Sequence, residues 1–103
     1  KIALLGLSYK PDIDDLRESP AVEVAEELAR TNVGNILVVE PHVKALPPSL
    51  SGFDNIKLCS LESALKQSDV VVLLVAHEAF REIPRSSLLD RVVIDTIGHM
   101  QRR

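Results

Sequence analysis

The densest chemistry in this sequence lies between Gly6 and Pro20, where Lys10 and Arg17 are interleaved with Asp12, Asp14, Asp15 and Glu18, beside Tyr9. An ammonium and a guanidinium in one loop suit phosphate oxygens, the first as a point charge and the second as a planar fork. Ser19 and Pro20 read as an N-cap and a first-turn proline, so a helix starts where the loop ends. Its unpaired N–H groups and partial positive charge favour an anion at the same place. The plain alternative is a solvated loop whose charges pair with one another. Gly6 stands alone, so the GxGxxG fingerprint of a dinucleotide site is absent. Asp12, Asp14 and Asp15 admit a magnesium reading. Lys10 and Arg17 already supply counter-charge, which favours salt-bridged bracing instead.

The other reactive side chains follow short apolar runs. Glu40 ends one of them, where a dinucleotide-binding fold places an acid on the adenosine ribose. Without the glycine fingerprint, Glu40-Pro41 reads as a strand terminator. His42, His77 and His99 each follow a run, but a shared metal ion is not expected. In a sheet ordered 3-2-1-4-5, strands two and five are roughly 14 Å apart at about 4.8 Å per interval, whereas zinc needs imidazole nitrogens at about 2.0–2.1 Å. His77, beside the point where strand order reverses, is read either as lining a ligand cleft or as a structural histidine. Cys59 is the only cysteine, which excludes an internal disulfide and suits a reducing compartment. It reads as a small packing residue. No serine sits in a nucleophile-elbow context.

Five apolar runs position these residues: Ile2–Leu5, Asn35–Val39, Ile56–Leu58, Val70–Val75 and Arg91–Ile94. Continuous β-branched runs indicate strands covered on both faces, as in parallel sheets. Between them, Ala21–Arg30 predicts a helix with Val22, Ala25 and Ala29 on its apolar stripe, flanked by Ala21, Val24 and Leu28. Leu61–Lys66 predicts a second helix, with Ser60 before it. Glu78–Ile83 and Ser86–Leu89 are weaker helical pieces, and Pro41–Phe53 is irregular. Strand–helix alternation predicts an α/β, three-layer, Rossmann-like domain with a mainly parallel five-stranded sheet and right-handed crossovers. Ligands in such folds bind at the carboxyl edge near the switch point, which is where the Lys10–Arg17 loop falls.

The chain is long enough for one domain: 103 residues, 46% apolar and 26% charged. A net charge of -3 and three aromatic residues argue against a nucleic-acid or anionic-membrane surface. The longest apolar run, Val70 to Ala76, is far short of the roughly 20 residues of a bilayer span. Lys1 precedes an apolar run that begins at once, and the expectation is a piece of a longer chain.

The string Tyr9-Lys10-Pro11 followed by Asp14-Asp15-Leu16-Arg17-Glu18-Ser19-Pro20 resembles the nucleotide-sugar 6-dehydrogenases of the UDP-glucose/GDP-mannose dehydrogenase family, specifically their C-terminal, UDP-binding domain. Val38-Val39-Glu40-Pro41 and Leu46-Pro47 are most similar to the UDP-N-acetyl-D-mannosamine dehydrogenase branch. The resemblance implies that Tyr9 and Lys10 bind a UDP-sugar, and that Arg17 reaches NAD across an interdomain cleft. Bracing of the loop or orientation of these cations by Asp14 and Asp15 is read from their charge and position and not from the family. By the resemblance His77, with Phe80, would line the nucleotide cleft. It implies a cytoplasmic homodimer or higher oligomer that oxidises the sugar C6 alcohol to a carboxylate in two NAD-dependent hydride transfers. The family's catalytic cysteine lies in a segment before this domain and is not Cys59, so this piece alone would be inactive. After the last strand the sequence reads Asp95-Thr96-Ile97-Gly98-His99, with no arginine until Arg102. An arginine reaching a neighbouring active site from there is not expected.

UDP-N-acetylmannosamine is the expected substrate. UDP-N-acetylglucosamine, UDP-N-acetylgalactosamine, UDP-glucose and GDP-mannose are the alternatives within this class. From another class, a stand-alone nucleotide-binding module without chemistry fits the same loop. A phosphoacceptor receiver domain does not, because it needs an aspartate after strand three and a lysine after strand five.

Overall fold

In the computed structural model the described residues are 1–8, 16, 19–32, 34–75, 77–80, 83, 85–88 and 91–96. Strands β1 (Ile2–Leu5), β2 (Ile36–Val39), β3 (Ile56–Leu58), β4 (Val70–Leu73) and β5 (Val92–Asp95) form one sheet in the order β3-β2-β1-β4-β5. Every strand pair is parallel. The expected order is therefore observed, and the strand order reverses between β1 and β4.

Among the described residues, three α-helices lie between the strands: α1 (Pro20–Thr31), α2 (Pro48–Ser51) and α3 (Leu61–Gln67). Ser19 caps α1, its side chain accepting from the Ala21 N–H, and Ser60 caps α3 through the Ser63 N–H. Both starts follow the serine signal. The single turn α2 falls inside the stretch read as irregular, where Pro48 opens it and Leu50 becomes fully buried. The two weaker helical pieces are short 3-10 turns at Glu78–Phe80 and Arg85–Leu88.

Side-chain alternation divides the sheet into two packed faces. Ala3, Leu5, Leu37, Val39, Val71 and Leu73 pack with Ala64, Leu65 and Phe80 on one side. Leu4, Ile36, Val38 and Val72 pack with Ala25, Ala29 and Leu50 on the other. Both faces being covered explains the continuous apolar runs of the central strands. Strand β5 departs from this, since Val92 and Ile94 are exposed.

The stripe of α1 also differs from its sequence reading. The buried residues are Ala21, Ala25 and Ala29, at a spacing of four, while Val22 and Leu28 are half-buried and Val24 is exposed. Alanine at the contact lets the helix axis lie close to the sheet, and the larger side chains flank it.

Candidate functional site

The long connection from β1 to α1 starts and ends on a pinned neck. Gly6 leaves the strand with φ +101, its N–H donating to the Val39 carbonyl at 2.8 Å. That region of backbone space is open to glycine and strained for other residues. Space is equally tight, because a Cβ on Gly6 would stand 2.6 Å from the Cβ of Val75. The chain then returns at Ser19, whose hydroxyl donates to the Leu7 carbonyl at 2.6 Å while accepting from the Ala21 N–H at 3.2 Å. One serine therefore caps the helix and closes the loop. Leu16, inside the loop, is half-buried and packs against the α1 side of the core.

A buried carboxylate holds the other side of the neck. Glu40 Oε1 accepts from the Leu7 N–H at 2.7 Å and the Ser8 N–H at 3.1 Å. The same oxygen lies 2.9 Å from His77 Nε2, which is also 3.2 Å from Ser8 Oγ. Glu40 Oε2 accepts from the His42 N–H at 3.1 Å. Glu40, His77, Ser8 and Ser19 are all buried, so this polar cluster sits inside the domain at the neck of the loop. Phe80 presents an edge to the His77 ring, with centroids 5.5 Å apart.

Glu40 is thus more than a strand terminator. Strand β2 does stop at Val39, but the acid position of a dinucleotide-binding fold is turned inward, onto Leu7, Ser8 and His77. The position at the end of β2 follows from the fold class, whereas the direction of the carboxylate is set by the contacts with Leu7, Ser8 and His77. Ser8 was missed altogether, because nothing in its local sequence marks a buried hydroxyl.

Burial pushes the Glu40 carboxyl up, but hydrogen bonds from His77, Leu7 and His42 outweigh it and hold the group below its ordinary value of 4.5. The sign follows from linkage. A carboxyl with a lowered folded pKa adds stability that is fully present above the ordinary glutamate range and is lost as pH falls through the folded value. Thermal unfolding of the wild type and Glu40→Gln across an acid series checks this. The wild type's advantage should shrink steadily below about pH 4.5 and be flat from there to neutrality. An advantage that does not narrow in acid would exclude an ionised Glu40.

The three histidines are distributed unequally. His99 lies outside the described residues. His42 and His77 come together despite following β2 and β4, two strands apart, with ring centroids 4.8 Å apart. Loop excursions beyond the strand ends cross the interval that strand spacing alone would impose. Glu40, His42 and His77 offer potential metal-ligand atoms within 4.8 Å of one another. Glu40 Oε1 already receives two N–H groups and faces His77 Nε2. Taking an ion would disrupt the contacts that pin Leu7 and Ser8.

Cys59 packs at the edge of the core, in a groove of about 370 Å³ lined also by Val39, Leu58, Leu61 and Phe80. Burial pushes its thiol up, against the pull of Lys57. A protonated, half-buried thiol fits the packing role expected of it. Tyr9, Lys10, Asp14, Asp15 and Arg17 lie outside the described residues. What the structure places is the neck from which their loop springs, at the carboxyl ends of β1 and β2.

The sequence matches the UDP binding domain of the UDP-glucose/GDP-mannose dehydrogenase family over residues 3–102. The chain belongs to this family. Among curated relatives of this UDP-binding domain, an NDP-N-acetyl-D-galactosaminuronic acid dehydrogenase of Ralstonia nicotianae is 50% identical over 97 residues, covering 94% of the chain and 22% of that protein. A UDP-N-acetyl-D-mannosamine dehydrogenase of Salmonella typhi is 48% identical over 98 residues, covering 95% of the chain and 23% of that protein. Among solved structures, the domain is similar to a GDP-mannose dehydrogenase from Pseudomonas aeruginosa in a ternary complex, with TM-score 0.78 and 30% identity over 99% of the chain and 26% of that structure. The domain therefore spans less than a quarter of the length of these curated relatives.

Proposed function

We propose that this UDP-binding domain holds the nucleotide of a UDP-sugar for an NAD-dependent 6-dehydrogenase, and that the remainder of the enzyme lies in further sequence. The observation that carries the reading is the family match across residues 3–102 together with the pinned loop neck at the carboxyl edge. Lys10 supplies an ammonium to the diphosphate and Tyr9 an amphipathic ring to the nucleoside. Asp14 and Asp15 brace the loop, and His77 supports its neck through Ser8 and Glu40. Arg17 contributes a guanidinium to the binding of NAD.

NAD supplies the hydride acceptor when bound. The described residues do not make this domain its resident site. The first loop has a single glycine, and Glu40, the counterpart of a ribose-binding acid, is buried on Leu7, Ser8 and His77. The dinucleotide is accordingly assigned to another part of the enzyme, as is the nucleophilic cysteine.

The preferred sugar is N-acetylmannosamine, for a polysaccharide precursor. Nearly equal identity to the Ralstonia relative keeps an N-acetylgalactosamine nucleotide as the second reading. NADH formation by the full-length protein on the two UDP-sugars separates them. The site itself is tested by calorimetric titration of the full-length protein with UDP. Lys10→Ala should weaken UDP binding by about tenfold or more, the worth of one charge-assisted phosphate contact. Unchanged affinity would remove Lys10 from the site.

A further inference from the structure

We infer that Glu40 is a positioning residue for substrate: its carboxylate, backed by His77, sets the course of the loop that carries Tyr9 and Lys10. The inference rests on the substrate-site reading above and names a residue that this reading leaves without a role.

The geometry places Glu40 immediately before the loop's working residues. Its Oε1 takes the N–H groups of Leu7 and Ser8, the two residues that precede Tyr9. Two adjacent N–H groups converging on one oxygen fix the direction in which the chain leaves the sheet, since each peptide plane is oriented by its own bond. The Leu7 carbonyl is held from the other side by Ser19 Oγ. Leu7 is thus tied through both its N–H and its carbonyl, and the return of the loop is tied to its departure. Leu16 adds a third anchor within the loop, against the core. Fixing Leu7, Ser8 and Ser19 before ligand arrives reduces the ordering that binding must impose at the neck.

Glu40 is itself fixed. It sits at the end of β2, a strand buried throughout, and His77 Nε2 orients its Oε1 from β4's side of the sheet at 2.9 Å. His77 is fully buried against Phe80, so it holds the carboxylate without competing for ligand. The two strands flanking β1 therefore converge on the exit of β1 itself, at the point where strand order reverses.

The role is distinguished from simple stabilisation by coupling. Groups that act on one process through one element are non-additive, whereas a general loss of stability adds independently. Glu40→Gln keeps the shape and an acceptor oxygen but loses the charge. In the full-length protein, UDP affinity is measured by calorimetry for wild type, Glu40→Gln, Lys10→Ala and the double variant. Glu40→Gln should weaken UDP binding about tenfold, comparable to one hydrogen bond to a charged group. In the Lys10→Ala background the same change should have less than half that effect on a logarithmic scale, because a misdirected loop has no ammonium left to misplace.

Equal effects of Glu40→Gln in both backgrounds, or wild-type affinity in the single variant, overturn the positioning role. If instead Lys10→Ala binds UDP like wild type, it is the substrate-site reading that fails. Should Glu40→Gln not fold, Glu40→Asp replaces it in the cycle. Aspartate keeps the charge but cannot reach both N–H groups, and the same non-additivity is expected. Amide exchange of Leu7 and Ser8, faster in either variant than in wild type, gives the local signature; unchanged exchange overturns the inference.

Discussion

Gly6→Ala should destabilise the domain by about 2–5 kcal/mol, from a left-handed backbone penalty of about 1–2 kcal/mol and overpacking of about 1–3 kcal/mol. Two separate features of this position add. The backbone stands at φ +101, where a side chain is strained whatever the space around it. The space is also taken, since the added Cβ would meet Val75 Cβ at 2.6 Å, Val75 Cγ2 at 3.0 Å and the Val75 backbone nitrogen at 3.1 Å. Val75 is buried and β-branched, so it has little room to turn away. At about 4–8 °C per kcal/mol for a domain of this size, thermal unfolding followed by circular dichroism should show a midpoint at least about 8 °C lower. Gly52→Ala is the matched control, because nothing lies within 4 Å of its added Cβ and its φ is -86. Similar midpoints for the two variants would mean that β1 does not leave the sheet as described.

Phe80→Ala should be at least as damaging, at about 3–5 kcal/mol for a buried aromatic truncated to alanine. Phe80 is 1% exposed and belongs to the cluster that joins Leu5, Val39 and Leu73 to Ala64 and Leu65 of α3. Its removal leaves a cavity under the sheet and takes away the edge contact that seats His77. The loss should therefore reach the loop neck as well as the core. Denaturant unfolding measures the first effect, and amide exchange at Leu7 and Ser8 the second. Phe80→Leu, which refills most of the volume, should recover more than half of the stability. A Phe80→Ala variant as stable as wild type would place the ring outside the core.

Much of the fold is legible in the chain because its signals are local. Ser19-Pro20 and Ser60 start α1 and α3, since a serine oxygen satisfies an orphan N–H wherever a helix begins. The apolar runs become five parallel strands within a residue or two of their expected ends. Where the reading slipped, packing had overruled pattern. Alanines rather than the larger Val24 face the sheet in α1, because close approach is decided by the neighbouring layer and not by hydropathy. The turn α2 inside a proline-rich stretch forms around Leu50, which finds a seat on the core.

The candidate site divides in the same way. The residue types that suit a nucleotide diphosphate, Lys10 and Arg17 among acids ahead of a helix start, are written in consecutive sequence, and so is the family string that contains them. Sequence alone therefore determined the fold class and the family, and it singled out the loop proposed to hold the nucleotide. Only the tertiary structure decided what that loop stands on. Glu40, His77 and Ser8 are separated by 37 and 69 positions in the chain where they meet. A hydrogen bond between them exists only because β2 and β4 flank β1 in one sheet and end at the same edge. No local signal encodes such a meeting. It follows from parallel strand pairing, which brings distant segments to a common edge and turns the acid at the end of β2 inward.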